Sequence, residues 1–143
     1  MTRRTRSLLC TALVLAGAGL PGCARKPVVV GSSKEFQNLI FIAQAYVDAV
    51  DGKLGRPPND VEELKTYLEG MGKPDEVLVS PNDGLPYVIV WGVKPGRFPI
   101  AYEQKGKDGT RIVVDRRLMP WRVTDEQFAR LKFPPGHKPP PSP

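Results

Sequence analysis

Apolar residues recur along this chain in three different patterns. The first is a run from Leu8 to Leu20, thirteen residues dominated by Leu, Val, Ala and Gly, directly after Arg3, Arg4 and Arg6. The second has helical spacing: Phe36, Leu39, Ile40, Ala43, Tyr46, Val47 and Val50. Ser32-Ser33-Lys34-Glu35 opens this helix as a capping box with Ser32 at the N-cap, and Gly52 closes it. Phe41, Ile42, Ala45 and Ala49 lie off the main stripe, so the helix should be covered on more than one side. A second, shorter helix is expected after Gly55-Arg56-Pro57-Pro58. Asn59 or Asp60 caps it, Val61, Leu64, Tyr67 and Leu68 form its buried stripe, and Gly70 stops it. The third pattern is strand-like. Tyr87–Trp91, Ile100–Gln104 and Arg111–Asp115 are rich in β-formers, and Asp108-Gly109 between the last two is a hairpin signal. Trp91 is the expected aromatic of the sheet core, and Val77–Val79 a brief further strand. Thr124-Asp125-Glu126-Gln127 is a second capping box and opens a short helix through Phe128 and Leu131.

The first pattern is too short to span a membrane, which takes about 20 apolar residues. It ends in Leu20-Pro21-Gly22-Cys23, with no A-x-A-like cleavage site before the cysteine. A basic start, an apolar run, and a small residue directly before a thiol read as the signal peptide of a bacterial lipoprotein. Cys23 is then the lipid-modified first residue of the mature chain. Arg3-Arg4 does not fit twin-arginine export, because Arg6 stands where that signal wants a bulky apolar residue. The expected organisation is a signal at 1–22, a tether at 23–31, one domain at 32–133, and a Pro-rich tail at 134–143 without the apolar content to fold.

Charge matters less than it first seems. The 143-residue chain carries a formal +6, and removal of the three signal arginines leaves +3 on 121 residues. Nucleic acid is therefore not an expected partner. Cys10 leaves with the signal and Cys23 is acylated, so the domain has no disulfide and is held by packing.

Candidate chemistry is sparse. His137 is the single histidine and sits in the expected floppy tail, where a base or metal ligand would lack rigid support. Without further His or Cys, zinc and Cys–His chemistry are not expected. No Gly-x-Ser-x-Gly and no phosphate-cradling glycine motif occurs. Glu62/Glu63 and Asp125/Glu126 fall in first turns of expected helices, where negative charge suits the dipole. Arg116, Arg117 and Arg122 cluster near Trp121. They read as a solvated strand end whose stems cover the aromatic, or as a contact for anionic lipid or polysaccharide.

The order of elements and the run Ser80-Pro81-Asn82-Asp83-Gly84-Leu85-Pro86-Tyr87 resemble the head of a type II secretion major pseudopilin. Val90-Trp91-Gly92-Val93, Ala101-Tyr102-Glu103, Asp108-Gly109 and Thr124–Phe128, with Phe133–Pro139 at the end, are similar to small exported proteins of planctomycete-type bacteria, pilin-like in build. That resemblance implies an α+β fold in which a long N-terminal helix packs on a small antiparallel sheet, followed by a short helix and a disordered tail. It also raises calcium, with Asp83 as the matching acid and Asp108 or Asp115 beside it. Calcium wants six to eight oxygens, and the Ser80–Pro86 stretch offers one carboxylate, so a plain turn is expected and no cofactor. In pseudopilins the apolar segment is the filament stem; here it precedes Cys23 and is removed. The expected function is a lipid-anchored, non-catalytic envelope protein acting as an interaction or structural subunit, held to the membrane through Cys23. Ala24 in place of Asp points to the outer membrane, facing the periplasm. An accessory subunit of a secretion or pilus-like machine is the alternative, with other pseudopilins as partners, and an envelope hydrolase comes last.

Overall fold

A computed structural model describes residues 33–140. The signal, Cys23 and the tether lie outside these residues, as do Ser32 and residues 141–143. The fold is α+β: four helices and one four-stranded antiparallel sheet. The helices are α1 (Lys34–Asp51), α2 (Val61–Leu68), α3 (Pro74–Val77) and α4 (Asp125–Ala129). The strands are β1 (Val88–Ile89), β2 (Ala101–Tyr102), β3 (Thr110–Val114) and β4 (Trp121–Thr124), paired in chain order as a meander.

The alternation of side chains along the strands builds a core on each face. Ile89, Ala101, Ile112 and Val114 point to one side, where α1 crosses β2 and β3 with Leu39, Ile42, Ala43 and Tyr46. Leu64 and Leu68 of α2 close that core from the outer side of α1. Tyr102, Val113 and Val123 point to the opposite side, against Phe128 of α4 and the half-buried Leu131 and Phe133. The sheet is thus covered on both faces. Tyr46 anchors α1 to the connection after β1. Its hydroxyl lies 2.8 Å from the carbonyls of Val90 and Val93 and accepts from the Val93 N–H at 3.2 Å. Burial pushes the Tyr46 phenol up from its ordinary value, partly offset by the Val93 bond.

Several expectations are met in detail. Asp108 and Gly109 both adopt positive φ, 53° and 68°, as the tight hairpin between β2 and β3 requires. The box at Thr124–Gln127 forms in both directions. Asp60 caps α2 through the Glu63 N–H, while the Glu63 carboxylate reaches back to the N–H of Asn59 and pairs with Arg56.

Others are corrected. The N-cap of α1 is Ser33, without a side-chain cap bond. Val61 is exposed and does not belong to the stripe of α2. Val77–Val79 is not a strand, since Pro74, preset for a first helical turn, starts α3 and leaves Val79 a lone bridge to Pro86. Trp91 is not in the sheet: β1 ends early because Gly92, at φ 68°, turns the chain away and donates to Pro58. Trp91 is left half-buried beside the α1 core. β4 is a strand beyond the expected ones: Trp121-Arg122-Val123-Thr124 alternates apolar and polar, but over only four residues before Thr124 caps α4. The tail packs on the domain as far as His137. Pro134 is buried, and a turn brings the His137 N–H to the Pro134 carbonyl at 3.1 Å.

Tyr46→Phe should destabilise the domain by about 1–3 kcal/mol, since it strips the Val93 N–H of its partner within the core. Urea unfolding of the purified chain measures this, and a loss near zero would mean that water reaches the Val90–Val93 backbone.

Candidate functional site

Three groups of polar side chains stand out. The first was not visible in the sequence. Glu103 directly follows β2 and is fully buried, as is Ser80. Its Oε1 accepts from the Ser80 hydroxyl and the Asn82 amide, both at 2.7 Å, and its Oε2 accepts from the Ile112 N–H at 2.8 Å. The Glu103 N–H in turn donates to the Ile112 carbonyl. The carboxylate therefore stands in for a backbone acceptor where the β2–β3 ladder stops. Next to it, Asp83 Oδ1 accepts from the Leu85 N–H, and Oδ2 from the N–H groups of Lys105 and Gly106. Gly106 can be nothing larger, because a Cβ there would sit 2.0 Å from the Thr110 carbonyl oxygen. Both carboxylates serve the fold: every donor is a neutral group of the chain itself, and Glu103 has no opening to a substrate.

The three acids weighed for calcium fall into three turns. Asp83 braces the loop before β1, Asp108 forms the hairpin, and Asp115 accepts from the Arg117 N–H in the turn after β3. Among the described residues no three His, Cys, Asp or Glu side chains converge on a possible ion position.

The second group lies under the C-terminal segment. Arg111 is fully buried, its guanidinium 4.4 Å from the centroid of Phe128 and its Nε donating to Asp125 at 3.0 Å. Its Nη1 and Nη2 have no hydrogen-bond partner among the described residues. Beside it, His137 Nε2 and the Tyr102 hydroxyl are 2.7 Å apart, and the rings of Tyr102, Phe128, Phe133 and His137 pack edge to face or tilted. The expected floppy histidine is thus a packing residue. Burial lowers its pKa and pushes the Tyr102 phenol up. The Tyr102 hydroxyl beside its Nε2 belongs to a fully buried side chain, closed to a substrate.

The third group is the surface loop between β3 and β4. Arg116, Arg117 and Met119 are exposed on it. The expected basic cluster is split here: Arg122 points to the other face of β4, where it covers Phe36 at 5.8 Å and donates to Thr110. A shallow hollow lies on either side of the loop. One, of about 220 Å³, is lined by Val47, Val50, Asp51, Lys94, Pro95 and Arg116. The other, of about 230 Å³, is lined by Asp115, Arg117, Met119 and Trp121. This loop, which presents exposed basic and apolar side chains together, is the candidate site.

No family model matches the chain, and no solved structure matches it significantly. Among curated proteins it is similar to GTPase Der of Azoarcus sp. (strain BH72), 26% identical over 117 residues, which is 80% of this chain and 26% of that protein. The chain thus spans about a quarter of that relative's length.

Two outcomes follow. Glu103→Ala should cost more than about 2 kcal/mol, because it orphans the buried Ile112 N–H. Asp83→Ala should cost about 1 kcal/mol, because water can reach the exposed Lys105 N–H; urea melts of both variants check this order. For His137, the unfolded chain takes up a proton first as pH falls through the ordinary value of 6.5. Its stabilising contribution is therefore full above that value and is lost between it and the lower folded-state value. The melting-temperature advantage of the native chain over His137→Gln should shrink between about pH 7.5 and about pH 5. A constant difference would show that burial does not hold His137 neutral.

Proposed function

We propose that this chain is a lipid-anchored protein of the bacterial cell envelope that acts through its surface, without catalysis, as an interaction or structural subunit. The observation that carries the reading is Leu20-Pro21-Gly22-Cys23 behind a basic start and a thirteen-residue apolar run. The domain's own chemistry agrees. Its buried carboxylate Glu103 is consumed by Ser80, Asn82 and the backbone of β3. Its histidine is packed into an aromatic cluster. The likeness to GTPase Der does not supply a nucleotide site, since a phosphate cradle of the Gly-x-x-x-x-Gly-Lys-Ser/Thr type is absent from the sequence. Ala24 after Cys23 favours the outer membrane, with the domain facing the periplasm.

A second reading is an accessory role in a secretion or pilus-like machine. It is favoured by the crossing of α1 over an antiparallel meander entered through the Ser80–Tyr87 loop, the build of a pilin head. Loss of the stem ahead of Cys23 argues against incorporation into a filament, so contact with the side or tip of one is the form this role would take.

The anchor is tested at Cys23. Cys23→Ser should leave a full-length precursor that takes up no labelled palmitate. A mature, detergent-partitioning Cys23→Ser protein would overturn the anchor.

A further inference from the structure

We propose that the β3–β4 loop, Asp115–Pro120, with Trp121 docks onto an anionic bilayer surface. The inference deepens the lipid-anchor reading and rests on it: the lipid holds the chain at the membrane, and this face sets how the domain sits there.

The loop is built to project. Asp115 accepts from the Arg117 N–H through its side chain and from the Leu118 N–H through its carbonyl, which makes a tight turn. Leu118 completes that turn at φ 59°, a left-handed conformation costly for a residue with a Cβ and a branched side chain. Its side chain nevertheless stays half-buried against the α1-side core. With Leu118 pinned inward, Arg116, Arg117 and Met119 are presented outward. Met119 is 62% exposed, the most exposed large apolar side chain among the described residues. It shares the second hollow with the half-buried Trp121. Around this apolar tip the basic groups outnumber the acids, Arg116, Arg117 and Lys94 against Asp51 and Asp115. Arg116 and Lys94 line the hollow on the other side of the loop. Arg117 reaches Asp115 at only 3.9 Å.

A flexible thioether and an indole, flanked by guanidinium groups on long apolar stems, match the bilayer interface. The apolar tips enter the headgroup region while the arginines reach lipid phosphates. A charged polysaccharide would pair with the arginines, but it has no apolar phase to receive Met119. The distances allow the contact. The loop lies beside the C-terminal end of α1, since Val47, Val50 and Asp51 share a hollow with Arg116. α1 is 18 residues, about 27 Å. The ten residues from Ala24 to Ser33 can reach about 33 Å, enough for the loop and the lipid to meet the same surface.

The test uses the full chain, exported, processed and reconstituted into vesicles. Trp91→Phe leaves Trp121 as the single tryptophan. Flotation with the vesicles reports the anchor, and quenching of Trp121 by brominated lipid reports the docking face. Brominated phosphatidylglycerol should quench Trp121 by about twofold more than brominated phosphatidylcholine. Arg116→Glu with Arg117→Glu should remove that excess while flotation persists. Flotation with equal quenching in both lipids, or quenching untouched by the charge reversal, overturns the docking proposal and leaves the anchor standing. Trp121 emission that responds to a soluble anionic polysaccharide but not to vesicles assigns the face to glycan and also overturns it. Failure to float overturns the anchor and the docking together, because two arginines do not hold a protein on a bilayer alone.

Discussion

The carboxylate of Glu103 is the constraint on which the arrangement of this domain most depends. A buried carboxylate costs several kcal/mol in lost hydration and is tolerated only when its oxygens are filled. Here they are filled by groups far apart in sequence: Ser80 and Asn82 before the sheet, and Ile112 in its central part. Satisfying one side chain therefore fixes the approach of the Ser80–Pro86 loop to the β2–β3 pair. Asp83 extends the same logic outward by collecting the Lys105 and Gly106 N–H groups at the root of the hairpin. Strands of two residues are too short to define a register by their own ladder. The two carboxylates supply the missing bonds.

The second consequence concerns the two faces of the sheet. On the α1 face the contacts are aliphatic and broad, with Tyr46 hydrogen-bonded to the backbone after β1. On the other face the cover is thin: a five-residue helix and the segment from Leu131 to His137. That thin cover must also shield Arg111, whose Nη1 and Nη2 lack partners among the described residues. Stacking of the guanidinium on Phe128 offsets part of this cost, and its Nε bond to Asp125 holds the first turn of α4 against β3. The aromatic contacts of Phe133 and His137 then seal a face that β4 and α4 alone leave open.

Much of the architecture was legible in the sequence because it is written in local signals. Helical spacing located α1 and α2, Asp108-Gly109 located the hairpin, and Thr124–Gln127 located α4. What was hidden depends on partners distant in the chain. Glu103 reads as an ordinary strand-end polar residue until Ser80 and Asn82 fold beside it. Asn38 lies outside the expected stripe of α1, yet it is buried and donates to the carbonyls of Glu76 and Val79. β4 escaped notice because its alternation lasts only four residues before the Thr124 cap, and Arg122 reads as a solvated charge until Phe36 folds beneath it. The tail escaped for the converse reason. Two rings, Phe133 and His137, are enough to dock a proline-rich segment whose overall composition favours none, because prolines lose little conformational entropy on ordering.

The position of the β3–β4 loop follows from the same constraints. Register across β3 and β4 pairs Val113 with Trp121 and Thr110 with Thr124, so the connection between the strands emerges at the Val114 end. That end lies by the C-terminus of α1, while Phe36, in the first turn of the helix, lies under Arg122 near the strands' other half. The domain thus begins at one end of α1 and, among the described residues, displays its most exposed large apolar side chain at the other. A helix held rigidly across the sheet by Tyr46 makes that separation a fixed length, which a longer tether can span but a shorter one cannot. With the proposed lipid on Cys23, a segment between Cys23 and Ser33 shorter than α1 would keep the β3–β4 loop away from the surface that holds the lipid. On that proposal, the orientation of the domain at a membrane follows from the ratio of two lengths in its own sequence.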